Sequence, residues 1–203
     1  SAINAGAKII VHSKEIDFYS NDIFYIKVED VKTQYDLKNI RGRSVRLDIY
    51  AVDSENKKYN IEIQRADSGA GARRARYNSS LIDGNILPKG ISPDNISDTF
   101  IIFITENDVI GGNKPIYHID RYIRELNEYF NDGTHIIYVN ADYKDDSDLG
   151  KLMHDFTVRD PDEMNFKQLA KITDYYKNDK EGIKAMCKAM EDMMTDYVTE
   201  EKK

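Results

Sequence analysis

Two alternating segments around one short polar turn limit what this chain can fold into. In the first, Val45, Leu47, Ile49 and Ala51 alternate with Arg46, Asp48 and Tyr50. In the second, Tyr59, Ile61 and Ile63 alternate with Asn60, Glu62 and Gln64. A period of two is that of a strand with one buried face. The pair therefore predicts a hairpin closed by Ser54-Glu55-Asn56. With that three-residue loop, Asp53 pairs with Lys57, Ala51 faces Tyr59, Ile49 faces Ile61 and Asp48 faces Glu62. A slip by one residue would set apolar faces against polar ones, so this register is strongly preferred.

The register puts two acids opposite each other, where like charges repel. A divalent cation would relieve that repulsion, since Mg²⁺ is usually held by one or two carboxylates plus water and phosphate. A solvated acidic pair softened by Arg46 and Arg65 fits the same spacing. The pattern alone leaves both readings open.

The surrounding words are more specific. Asp48 followed by Glu62-x-Gln64 resembles the PD-(D/E)xK nuclease signature, with Gln in the place of the usual Lys. Arg46-Leu47-Asp48-Ile49-Tyr50, Tyr59-Asn60-Ile61-Glu62-Ile63-Gln64, Arg74-Ala75-Arg76-Tyr77, Leu81-Ile82-Asp83 and Leu87-Pro88-Lys89-Gly90 follow in order. Together they are similar to the PD-(D/E)xK nuclease family transposases, relatives of the recombination-promoting nucleases. The likeness runs from about Val28 to Met194 and is closest before Asp142.

The resemblance implies an α/β (mixed α+β) fold, with a restriction-endonuclease-like core whose central mixed sheet is flanked by helices. Residues 1–142 would form that core with an N-terminal extension, and 143–203 a C-terminal helical appendage packed on it. It implies a metal-dependent DNA endonuclease, with a nuclease-like DNA- or protein-binding module as the alternative. Asp48, Glu62 and Gln64 would be catalytic. Asp48, Glu62 and the carbonyl of Ile63 would hold Mg²⁺, with Mn²⁺ or Ca²⁺ as alternatives. Arg46, Arg74, Arg76 and Tyr77 would contact DNA. A homodimer is left open.

Charge placement bears on that expectation. The chain of 203 residues carries a net charge of −7. Residues 38–90 nevertheless balance at +5 and the rest at −12. Phosphate binding needs a local basic surface, and the basic segment coincides with the acidic hairpin. Cys187, the single cysteine, excludes an internal disulfide and fits a reducing, cytoplasmic setting. No apolar run approaches the roughly 20 residues that span a bilayer, so no membrane association is expected.

Further along, the chain predicts other elements. Ile9–Val11 is a short apolar run, one or two strands or a packed extended arm are expected between Ile16 and Val28, and Val28 to Leu37 leads into a strand. Ala72 to Leu87 reads as a helix with Tyr77, Leu81 and Ile82 inward. Its Arg73, Arg74 and Arg76 oppose the helix dipole, which suggests an anionic partner at that end. Thr99–Thr105 is a continuous apolar run, the mark of a strand buried on both faces. Ile116–Ile123 and Tyr129–Asn140 read as strands, although Tyr122, Leu126, Tyr129 and Phe130 also fit helical spacing. Ser147 lies in a capping region ahead of a face of Leu149, Leu152, Met153 and Phe156. Pro161-Asp162-Glu163 is expected to open another helix, and a methionine-lined one to run from Glu181 to Tyr197. His12, His118, His135 and His154 show no zinc spacing, and no phosphate-binding glycine loop is present.

Overall fold

The hairpin forms in the expected register. In the computed structural model, which describes residues 15–16, 26–39, 42–64 and 67–184, β3 (Val45–Asp53) pairs antiparallel with β4 (Lys58–Gln64). Ile49 lies opposite Ile61 and Ala51 opposite Tyr59. The Asp53 N–H donates to the Lys57 carbonyl at 3.2 Å, closing the loop. Asn56, at φ 65°, takes the left-handed corner that asparagine tolerates.

The remaining strands are β1 (Glu15–Ile16), β2 (Ile26–Leu37), β5 (Thr99–Thr105), β6 (Ile116–Ile119), β7 (Tyr122–Ile123), β8 (Glu128–Tyr129) and β9 (Thr134–Asn140). Six of them make a mixed central sheet in the order β2-β3-β4-β5-β9-β6, and β1 adds to the outer edge of β2. β4, β5 and β9 are parallel neighbours. Parallel strands need a crossover, and between β4 and β5 it is supplied by α1 (Ala72–Ile86). Among the described residues β7 and β8 pair only with each other. Their Tyr122, Leu126, Tyr129 and Phe130 are all exposed, so no core rewards the helical spacing there. Asn127, at φ 57°, sits in the turn instead.

Both faces of the sheet are covered. On one, Ala75, Leu81 and Ile82 of α1 pack with Leu47, Tyr50, Ile101, Phe103 and Tyr138. On the other, Met153 and Phe156 of α2 (Asp148–Thr157) and Leu169 of α3 (Lys167–Asn178) pack with Ile49, Ala51, Ile61, Ile102 and Val139. Each fully buried apolar side chain of this size contributes roughly 1.5–3 kcal/mol.

This corrects the expectation of one buried face. Leu47 belongs to the α1 layer, yet Ile49 and Ala51 belong to the opposite one, and Tyr50 returns to the first. The neighbouring strand does the same: Val31 packs in the α2/α3 layer, Tyr35 and Leu37 under α1. Thr33 lies opposite Ile49 and Tyr35 opposite Leu47, so no residue is inserted between them. Both strands exchange faces at one rung, formed by Gln34 and Asp48. Gln34 takes φ 51° there.

One helical expectation holds and another shifts. Ser147 caps α2 by accepting the Gly150 N–H at 3.0 Å, as its spacing suggests. Pro161–Glu163 is a single 3₁₀ turn, and α3 begins only at Lys167. The apolar run Ile9–Val11 and most of the strands or extended arm expected in Ile16–Val28 lie outside the described residues. So does the methionine-lined helix beyond residue 184, although 180–184 are helical. Among the described residues, no helix is long and apolar enough to cross a membrane.

Candidate active site at the opened end of the hairpin

The β3–β4 ladder ends at the Ile49–Ile61 pair, while the β4–β5 ladder continues to Gln64 and Thr105. Beyond Ile49 the two antiparallel strands part, and their N–H groups need other acceptors. The acids supply them. The Asp48 N–H points to Glu62 Oε1 at 3.4 Å, and the Ile63 N–H donates to Asp48 Oδ2 at 3.2 Å. Each carboxylate thus reaches across to the other strand, and the two acids predicted to meet do meet.

Glu62 is fully buried at 0 % exposure, on the α1 side of the sheet. Arg74 near the start of α1 donates to its Oε2 at 2.8 Å, and Gln64 Nε2 lies 3.4 Å from the same oxygen. Burial pushes the Glu62 pKa up to about 7, and the Asp48 charge adds to the rise; Arg74 opposes both. Gln34 Nε2 donates to Asp48 Oδ1 at 3.3 Å. The sequence reading missed Gln34, because its position in β2 looks like an ordinary polar site between Thr33 and Tyr35.

Arg74 reaches the acids because of how α1 lies. Near its end, Asp83 accepts the Thr99 hydroxyl at 3.1 Å, at the start of β5. The helix therefore runs antiparallel to β4 and β5, with its N-terminus over the open end of the hairpin. The link before it is a 3₁₀ turn (Asp67–Ala70), tied down where the Tyr138 hydroxyl donates to the Ala70 carbonyl at 2.7 Å. No side chain caps the N-terminus of α1, and no acid lies in its first turn.

Arg46 and Tyr77, expected to contact DNA, also have partners within the protein. Arg46 donates to Asp36 across the β2–β3 pair at 2.8 Å. Tyr77 ties Asn39 and Arg43 to α1, its hydroxyl donating to the Arg43 carbonyl and accepting from Asn39 Nδ2 at 3.4 Å. Arg73 and Arg76 are exposed on the first turns of α1.

Gly69 fixes the place of Gln64. A Cβ on it would lie 1.9 Å from Gln64 Oε1 and 2.8 Å from its Cδ. Gly69→Ala should therefore push the flexible Gln64 side chain away and leave the fold intact. The melting temperature should change little, while a structure of the variant should show Gln64 Nε2 moved from its 3.4 Å approach to Glu62; an unmoved Gln64 would show that Gly69 does not govern its position.

The donor set suits a hard divalent cation. Among the described residues no three His, Cys, Asp or Glu side chains come together. The carboxylate pair would need main-chain oxygen, water and phosphate to complete its coordination, as Mg²⁺ commonly does.

The family model of the PD-(D/E)XK nuclease family transposases matches residues 20–143. The chain belongs to this family. The matched region contains β3, β4, α1, β5 and β9, and with them every member of the acidic cluster. The mixed sheet flanked by helices agrees with the restriction-endonuclease-like fold of PD-(D/E)XK proteins. Membership suggests nuclease- or transposase-related function, and PD-(D/E)XK nucleases generally use divalent metals. No curated protein and no solved structure matches the chain.

Proposed function

We propose that the protein is a divalent-cation-dependent endonuclease that hydrolyses phosphodiester bonds in DNA. The observation that carries this reading is the meeting of Asp48 and Glu62 where β3 and β4 part. These two carboxylates, with the Ile63 carbonyl, would hold Mg²⁺ or Mn²⁺. When bound, that cation would lower the pKa of a water and neutralise charge developing on the scissile phosphate.

The chain's own residues would do the rest. Gln64 has an amide where a lysine is usual, so it can orient a water or a phosphate oxygen without adding charge. The positive charge that binds and stabilises phosphate would come from Arg74, Arg73 and Arg76 on α1, since guanidinium groups pair well with phosphate oxygens. Asp48 is steadied by Gln34 and the Ile63 N–H, which hold it toward the other acid.

The test is nicking of supercoiled plasmid by the purified chain with Mg²⁺ or Mn²⁺, and its arrest by EDTA. Asp48→Ala should be inactive under the same conditions. Cleavage undiminished in that variant would sink the assignment. The Gln at 64 and the Arg74 contact on Glu62 favour a second reading, a nuclease-like module that binds DNA or protein without cutting. DNA retained in EDTA, with no turnover on adding any divalent cation, would select it.

A further inference from the structure

The geometry points to Arg74 as a displaceable stand-in for the cation: it pairs with the Glu62 carboxylate at 2.8 Å and gives it up when a divalent cation binds. This inference rests on the reading of Asp48 and Glu62 as cation ligands, and adds what their present partner does.

The two ends of the ion pair differ. Glu62 has 0 % side-chain exposure, whereas Arg74 keeps 44 %. A buried carboxylate needs a positive or hydrogen-bonding partner, because its own solvation has been removed. Its two oxygens are both engaged: Oε1 by the Asp48 N–H, and Oε2 by Arg74 at 2.8 Å and by Gln64 at 3.4 Å. A cation entering between Asp48 and Glu62 must share a carboxylate with a guanidinium already bound to it. Two positive centres that close repel strongly in a partly dry site. Glu62 is fixed within β4 and cannot move aside. Arg74 can, because it is half in solvent at the first turn of a helix.

Where Arg74 would go is also set by position. It starts α1 beside the exposed Arg73 and Arg76, with an uncapped helix N-terminus and no acid in that turn. Released from Glu62, it adds to a basic cluster at a helix end that already favours an anion. The same side chain would thus neutralise Glu62 before the cation arrives and face a backbone phosphate afterwards. Cation and DNA binding should be coupled through it, and by linkage each should strengthen the other.

The experiment measures Mn²⁺ affinity of the full chain without DNA at pH 8, by electron paramagnetic resonance of free Mn²⁺. Wild type is compared with Arg74→Ala, Arg74→Gln and Glu62→Gln. Removing the guanidinium should tighten Mn²⁺ binding about tenfold, within the usual range of coupling between sites, and Glu62→Gln should abolish it. Adding a short DNA duplex with uncleavable phosphorothioate linkages should tighten Mn²⁺ binding in wild type and have a smaller effect in Arg74→Ala. Arg74→Gln keeps a neutral donor, and it decides the matter if Arg74→Ala does not fold. Equal or weaker Mn²⁺ affinity in the folded arginine variants would overturn the proposal while leaving the cation site standing. Mn²⁺ binding that Glu62→Gln does not alter would overturn the cation site and this inference together.

Discussion

Glu62→Gln is expected to reduce cation-dependent DNA cleavage by about 10³-fold or more, as loss of a group acting directly on developing charge does. The substitution keeps the size of the side chain and its ability to accept the Asp48 N–H, but it removes the charge a cation needs. The same variant should expose a stability signature in EDTA. The folded pKa of Glu62 is about 7, against an ordinary 4.5, with burial as its first cause. The folded state therefore holds the proton more tightly than the unfolded chain does. That contribution is fully present below about pH 4.5, drains as pH rises toward 7 and is absent above it. At 1.36 kcal/mol per pKa unit it amounts to about 3 kcal/mol. Urea unfolding at pH 5 and pH 8 should show wild type losing this amount relative to Glu62→Gln. Parallel pH profiles for the two proteins would show that Arg74 fully offsets the effect of burial and of Asp48 on Glu62.

Asp155→Ala is expected to cost about 2–4 kcal/mol of stability, through acceptors lost rather than through a cavity. Asp155 is buried near the end of α2. Its Oδ1 accepts from the Asn165 N–H at 2.9 Å and Asn165 Nδ2 at 2.8 Å, and its Oδ2 accepts the Phe166 N–H at 2.8 Å. One side chain thus holds the approach to α3, whose Phe166 cap has no side-chain bond of its own. Burial raises the Asp155 pKa, but these N–H donors outweigh it and leave it below 3.8. The stability it supplies is present above that value and is lost as pH falls through the lowered one. A urea midpoint for Asp155→Ala equal to that of wild type at pH 7 would remove Asp155 from the joint between α2 and α3. Asp155→Asn should lie between the two, since its amide keeps one acceptor.

The legible parts of this molecule were those fixed by local arithmetic. Three loop residues determine a hairpin register, and that register sets Asp48 and Glu62 one position beyond the Ile49–Ile61 end of the ladder, within reach of each other. Thr99–Thr105 read correctly because a strand covered on both sides needs apolar residues at consecutive positions. The exchange of faces at Gln34 and Asp48 was hidden for a related reason. Val31, Tyr35 and Leu37 are all odd-numbered, as are Leu47, Ile49 and Ala51, so the alternation looks unbroken. With apolar layers on both sides, either half of such a strand can turn over without exposing anything. The arginines at the start of α1 did signal an anion. What the sequence withheld was that one such anion belongs to the protein, since Glu62 and Arg74 meet only after the intervening turn has folded back over the sheet.

The Gln34–Asp48 rung lies where β2 and β3 pass from one hydrophobic layer to the other. A methyl group removed from Leu47 on one side, or from Ile49 on the other, would relax into the same short piece of backbone. Neither residue bears a polar atom toward the cleft, yet both brace the segment from which Asp48 projects. Substitutions deep in either layer would therefore surface as changes in how well the cleft gathers its charges, and compensating changes would arise in the layer across from the original lesion.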